Sequence, residues 1–115
     1  MKYKLFFWLT VIFFLSVSCN KDKISLNIIS PADGAVFNVN DKIEVSITAT
    51  TKKGSIKQVI LFVDTINTIS FTKPPYDTII PKQTFKDEGM FYLSVRAYSS
   101  QGVQEGKSIY IKIEK

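Results

Sequence analysis

The sequence predicts an all-β sandwich of about seven strands, and three observations carry that prediction. Apolar residues alternate with polar ones at period two in five separate runs, turn-forming residues stand between the runs, and no helix of useful length follows residue 19. A strand that is apolar on one face must bury that face, so two sheets are expected to pack face to face.

The chain opens with Lys2 and Lys4, an eleven-residue apolar run from Leu5 to Leu15, then Ser16-Val17-Ser18 and Cys19, the only cysteine. A charged start, a short apolar middle and small residues before a cleavage point make a secretory signal. The run is well short of the roughly 20 residues that span a bilayer as a helix. Leu15-Ser16-Val17-Ser18-Cys19 resembles the lipobox of bacterial lipoproteins, in which the thiol is joined to a diacylglyceryl group before the peptidase cuts. Ser16 stands where that pattern most often has leucine. The resemblance implies that residues 1–18 are removed, that Cys19 becomes the first residue and carries covalent lipid such as palmitate, and that residues 19–23 form a lipidated cysteine and tether. A lone thiol in an exported protein otherwise has no partner. Two acyl chains give firm attachment where one gives marginal binding, at about 0.8 kcal/mol per buried methylene.

Loss of residues 1–18 leaves 97 residues, enough for one core, and removes Lys2 and Lys4, so that 13 basic residues face 10 acidic ones and the net charge is +3. The remaining lysines are scattered and Arg96 is the single arginine, so no basic stripe follows a phosphate backbone and nucleic acid is not an expected partner. With Cys19 acylated, no thiol remains for a disulfide. Stability must come from packing.

From residue 24 onward each run reads as a strand. Ile24, Leu26 and Ile28 alternate, as do Ile43, Val45, Ile47 and Ala49, then Val59, Leu61 and Val63, then Phe91, Leu93, Val95 and Ala97, then Ile109, Ile111 and Ile113. Two shorter strands are expected near 68–71 and 76–80. In the second, Ile79 and Ile80 cannot both face inward, which leaves its register open. Tyr76 is expected to pack its ring on the sandwich rim. Breaks fall at Pro31-Ala32-Asp33-Gly34, Lys52-Lys53-Gly54-Ser55, Lys73-Pro74-Pro75, Asp87-Glu88-Gly89 and Ser99-Ser100-Gln101-Gly102.

Four segments follow in order: Ser30-Pro31-Ala32-Asp33-Gly34-Ala35-Val36-Phe37, then Ile56 to Asp64, then Lys73-Pro74-Pro75-Tyr76, then Glu88 to Ala97. Together they resemble a bacterial Ig-like domain over most of residues 24–113. The resemblance implies an immunoglobulin-like, Greek-key sandwich over residues 24–115, without the disulfide and buried tryptophan of antibody domains. Thr65 replaces the glycine usual after Asp64, and Ser99 replaces the aspartate usual after the alanine strand; both departures weaken any inherited calcium site.

Chemistry is sparse. Histidine is absent, so Ser-His-Asp triads are impossible and the commonest general base is missing. Asp87 and Glu88 read as turn residues. Asp33, Asp41, Asp64 and Asp77 stand singly, and zinc wants Cys or His clusters. No catalytic residue, metal site or cofactor beyond the lipid on Cys19 is expected. One surface stands out. If Val59, Leu61 and Val63 face the core, Ile60 and Phe62 face outward, as do Tyr92, Arg96 and Tyr98 in the next-to-last strand and Tyr110 and Lys112 in the last. In an Ig-like domain these strands adjoin, so Ile60, Phe62, Tyr92, Arg96, Tyr98 and Tyr110 form a candidate partner-binding face of residue types enriched at hot spots. Aromatic cross-strand neighbours also stabilise a sheet by roughly 0.2–1 kcal/mol per pair with no partner at all.

The sequence therefore reads as a non-enzymatic lipoprotein of the bacterial cell envelope, held at a membrane, most simply the outer one, through acylated Cys19. Its single domain is expected to bind a protein or a polysaccharide; the alternative is a structural accessory subunit docking on a larger envelope complex.

Overall fold

The computed structural model describes residues 23–115. The expected signal segment, Cys19 and the tether up to Asp22 lie outside the described residues.

Eight strands follow one another: β1 (Ile24–Ser30), β2 (Val36–Asn38), β3 (Ile43–Thr51), β4 (Ile56–Val63), β5 (Asn67–Phe71), β6 (Tyr76–Ile80), β7 (Gly89–Ser99) and β8 (Gln104–Glu114). They form a three-stranded sheet in the order β1-β3-β6 and a five-stranded sheet in the order β2-β8-β7-β4-β5. All pairs are antiparallel except β2 with β8, which is parallel. The alternation seen in sequence is the alternation of burial. Ile43, Val45 and Ile47 from one sheet meet Val59, Leu61, Val63, Leu93, Val95, Ile111 and Ile113 from the other, all at most 3% exposed. β-branched side chains dominate because they pack well on a pleated, half-buried surface.

β2 is the strand that the sequence does not reveal. After β1 the chain crosses from one sheet to the other at residues 31–35, and three residues then run beside β8, with Val36 opposite Lys112 and Asn38 opposite Glu114. Three residues are too few for a period to register. In β6 the register settles the isoleucine ambiguity: Ile80 pairs with Ile43 and is buried, whereas Ile79 pairs with Glu44 and is exposed. Tyr76 is not on the rim. It is 6% exposed in the core, its ring edge-on to Phe71 at 6.1 Å. Phe85, from the irregular segment between β6 and β7, is also buried and lies 4.6 Å from the Phe91 ring. The Ser30–Pro31 and Pro74–Pro75 peptide bonds are cis.

Turn chemistry fixes the end of the sandwich where β1 begins. The β7–β8 hairpin closes with Gly102 N–H donating to Ser99 O (3.1 Å) and Ser99 N–H to Val103 O (2.9 Å). Gly102 at φ 78° supplies the left-handed residue of a three-residue hairpin loop. Ser99 is buried at the end of β7 and anchors the loop: its Oγ accepts from Gln101 N (3.2 Å) and Val103 N (3.1 Å). The β3–β4 loop is tied to the same hairpin, since Ser55 N donates to Ser100 Oγ (3.0 Å) and Ser100 N to Ser55 O (2.8 Å). That close approach requires Gly54, at φ 71°, because a Cβ there would collide with Ser100 Oγ.

Candidate functional site

The outer face of the five-stranded sheet is set by the pairing of β5, β4, β7 and β8. Phe62 stands opposite Ser94 and Thr68, Ile60 opposite Arg96 and Ser70, Tyr92 opposite Tyr110, Arg96 opposite Gly106, and Tyr98 between Gln58 and Gln104. The six residues singled out from sequence thus share one face. Arg96 and Tyr110 are exposed, Tyr110 at 56%, while Ile60, Phe62, Tyr92 and Tyr98 are half-buried by their neighbours.

The face divides into two parts. Ile60, Phe62, Arg96 and Tyr98 lie across β4 and β7, with Gly106 leaving the space beside Arg96 free of a facing side chain. The Ser94–Ser108 pair, hydroxyl to hydroxyl at 3.0 Å, separates them along β8 from the second part. That second part centres on Tyr92 and Tyr110 and extends to Met90, Lys112 and Val36, because Met90 faces Lys112 across β7–β8 and Val36 faces Lys112 across β2–β8. Val36 is 55% and Met90 59% exposed. Of the six large hydrophobic residues left exposed among the described residues, three (Val36, Met90 and Tyr110) sit here. Sequence reading missed two of them. Met90 was legible, being in phase with Tyr92; Val36 was not, because its place on this face depends on the parallel pairing of β2.

Two aspartates hold the backbone under the tyrosine pair. As β4 ends, Asp64 N–H donates to Tyr92 O (2.9 Å) and the Asp64 carboxylate accepts from Tyr92 N (3.2 Å) and Thr65 N (2.8 Å). As the 31–35 crossing approaches β8, Gly34 N–H donates to Tyr110 O (2.7 Å) and Asp33 Oδ1 accepts from Tyr110 N (2.8 Å). In each case a side-chain carboxylate replaces the backbone carbonyl that a continuing strand would have offered, and adds one rung to the ladder. Asp64 sits at φ 48°, a conformation aspartate tolerates better than most residues. Asp41 and Asp77 are engaged as well, accepting from Asn38 N (2.7 Å) and Ser46 Oγ (2.9 Å). The four aspartates that stand singly in the sequence are thus anchors for turns and edges. Among the described residues no three His, Cys, Asp or Glu side chains converge as a metal site would need.

The phenolic oxygens of Tyr92, Tyr98 and Tyr110 have no hydrogen-bond partner among the described residues, and the ring–ring contacts there, Phe71–Tyr76 and Phe85–Phe91, lie elsewhere. The tyrosines present apolar rings with open polar tips, which suits contact with a second surface. A shallow depression occurs on the opposite sheet, lined by Ser30, Glu44, Ser46, Asp77 and Ile79 among others. Its Ser46 and Asp77 side chains already satisfy each other, and it collects no convergent groups.

Residues 25–95 match the family model described as bacterial Ig domain. Among solved structures, the fibronectin(III)-like modules of Clostridium thermocellum CbhA are similar at 23% identity and a TM-score of 0.63, covering 77% of this chain and 94% of that one. An engineered protein is similar at 13% identity and a TM-score of 0.58; the match covers 81% of this chain but only 20% of the other. At such identities the likeness is one of fold. No curated protein matches the sequence.

Proposed function

The chain belongs to the bacterial Ig domain family, and from that premise we propose that it is a lipid-anchored envelope protein whose Ig-like module works by contact, binding a protein or a polysaccharide through the outer face of its five-stranded sheet. One observation supports the reading above the others. Val36, Met90 and Tyr110 stay exposed, beside a half-buried Tyr92, on a sheet face that packing does not require to be apolar. Antiparallel sheets ordinarily solvate such a face with polar side chains.

The anchor and the face are compatible in direction. β1 starts at Ile24, which pairs with Thr51 at the end of the sandwich that holds the β7–β8 hairpin. Tyr110 lies six residues along β8 from Gln104, about 20 Å at the usual rise, and Val36 and Met90 lie further still. A tether of residues 19–23 ending in acylated Cys19 would enter at the hairpin end and leave the tyrosine pair turned away from the membrane.

The test substitutes Tyr92→Ser, Tyr98→Ser and Tyr110→Ser together in the full-length protein and compares what each form captures from native envelopes. Loss of captured material with unchanged folding is expected, and unchanged capture overturns the binding face. A single protein captured at fixed stoichiometry points to the accessory-subunit role. Separately, Cys19→Ser is expected to abolish incorporation of labelled fatty acid, and retention of label overturns the anchor.

A further inference from the structure

We propose that the open edge of β5 is a self-association site, at which a second copy of this chain pairs antiparallel, with Ile69 facing its own symmetry mate, to make one ten-stranded sheet. The sandwich has several open edges, and most are guarded in the ways natural sheets guard them; β1 also lacks charge and proline, but it is broken by the irregularity between Ile28 and Ser30 and its Leu26 O is engaged by Lys107. β6 carries Asp77 and stands between Pro75 and Pro81. The part of β8 that β2 does not cover carries Glu105 and Lys107, and Lys107 Nζ reaches over to Leu26 O (3.5 Å) and Asn27 Oδ1 (3.2 Å) on β1. β2 is three residues long. β5, Asn67-Thr68-Ile69-Ser70-Phe71, has neither charge nor proline and nothing beside it but β4.

The outward-pointing backbone groups can be identified. Thr68 N–H donates to the side chain of its neighbour, Asn67 Oδ1 (2.9 Å), and so is turned away from β4. By the alternation of a strand, Ser70 presents its N–H and C=O on the same side. These are the groups a second strand would engage, and the strand complements itself about Ile69. Antiparallel pairing there sets Thr68 opposite the mate's Ser70 twice over, with both pairs exchanging two backbone hydrogen bonds once the Thr68 N–H leaves Asn67 Oδ1 for the mate's carbonyl, and bringing hydroxyls together on the outer face. Ile69 meets Ile69 on the inner face, where it already packs against the core.

The two-fold axis of such a pair runs along the sheet normal, so both tyrosine faces look the same way. This link to the proposed binding face is a consequence; the pairing itself does not rest on it. Two copies of a face on one rigid sheet engage a repetitive ligand with far greater avidity than one.

Register-specific disulfide trapping tests the proposal in the full-length chain, oxidised in the cells that express it. Facing residues in an antiparallel pair have the Cα separation a disulfide needs. Chains with Thr68→Cys and chains with Ser70→Cys, expressed together, are expected to cross-link to each other, whereas Thr68→Cys alone gives no more dimer than the parent chain. Ser70→Pro removes an outward N–H without touching the β4 ladder, and combined with the cysteine of the other chain it is expected to abolish the cross-link. Thr68→Lys with Ser70→Lys, which places like charges opposite one another, serves where the proline variant fails to fold and is expected to leave the chain monomeric in chemical cross-linking. Asn67→Ala frees the Thr68 N–H and is expected to raise the dimer fraction. A trapped yield equal to the parent background, or capture only of a different polypeptide, overturns the proposal.

Discussion

The outer face of the three-stranded sheet carries Ser25, Asn27, Ser46, Thr48, Thr50 and Asp77, whereas the five-stranded sheet turns Ile60, Phe62, Met90, Tyr92, Tyr98 and Tyr110 to the same solvent. Both sheets bury their other face in a single core, so the contrast does not arise from packing. Ile29 and Ile79 are exposed on the polar side, but Ile79 stands opposite Glu44 and Ile29 falls at the irregularity between Ile28 and Ser30, where a bulge re-aims a side chain. Neither joins a patch. The first sheet follows the rule for an antiparallel layer with one wet face, and the second departs from it over adjoining strands. A departure that folding does not demand is where a contact function is most economically sought.

The core below both faces is the largest single determinant of stability. Leu93 is fully buried between Val63 and Ile109, and Leu93→Ala is expected to cost about 2–5 kcal/mol, measured as a shift of the denaturant midpoint at unchanged slope. Both faces should be lost together in that unfolding. If chemical or protease probes show one sheet's face surviving the other, the single core is the wrong premise for comparing them.

Next in size is the aspartate beneath the tyrosine pair. Asp64→Ala removes an acceptor from Tyr92 N and Thr65 N and leaves a residue less suited to φ 48°, for an expected loss of about 1–3 kcal/mol. Asp64→Asn keeps one acceptor and the same backbone tolerance and should lose clearly less. An equal loss for both would mean that the carboxylate does not hold the ladder at Tyr92. The comparison sharpens at the surface itself: Tyr92→Thr with Tyr110→Thr makes one face resemble the other, and the change in stability should be only about 0.2–1 kcal/mol, the worth of an aromatic cross-strand pair. A much larger loss, read by thermal unfolding, would show that the tyrosines serve the sheet and not a partner.

Much of this contrast was written in the alternation. Even-numbered residues from Gln58 to Phe62 and from Met90 to Tyr98 share the outer face because a strand has period two, and the inner residues Val59, Leu61, Val63, Leu93, Val95 and Ala97 follow from the same count. Four features escaped. β2 is too short for a period and is held by a parallel pairing that only the fold supplies, so Val36 did not announce its place beside Met90. Phe85 is buried from a segment with no strand pattern, and Tyr76, just past two prolines, looked like an edge residue although its ring fills the core against Phe71. The aspartates looked idle because their partners, backbone N–H groups 28 and 77 residues away, belong to other strands.

The smallest expected effect is the control that gives the others meaning. Thr48 and Thr50 project from β3 on the outer face of the three-stranded sheet, opposite Asn27 and Ser25, and both are exposed. Thr48→Ala with Thr50→Ala lowers β propensity slightly and removes hydroxyls that water already serves, so stability should stay within about 0.5 kcal/mol. Capture of partners from native envelopes should not change. If this pair of threonines proves as necessary for capture as Tyr92 and Tyr110, the asymmetry between the two faces has no functional meaning, and the polar sheet has as strong a claim to the contact as the aromatic one.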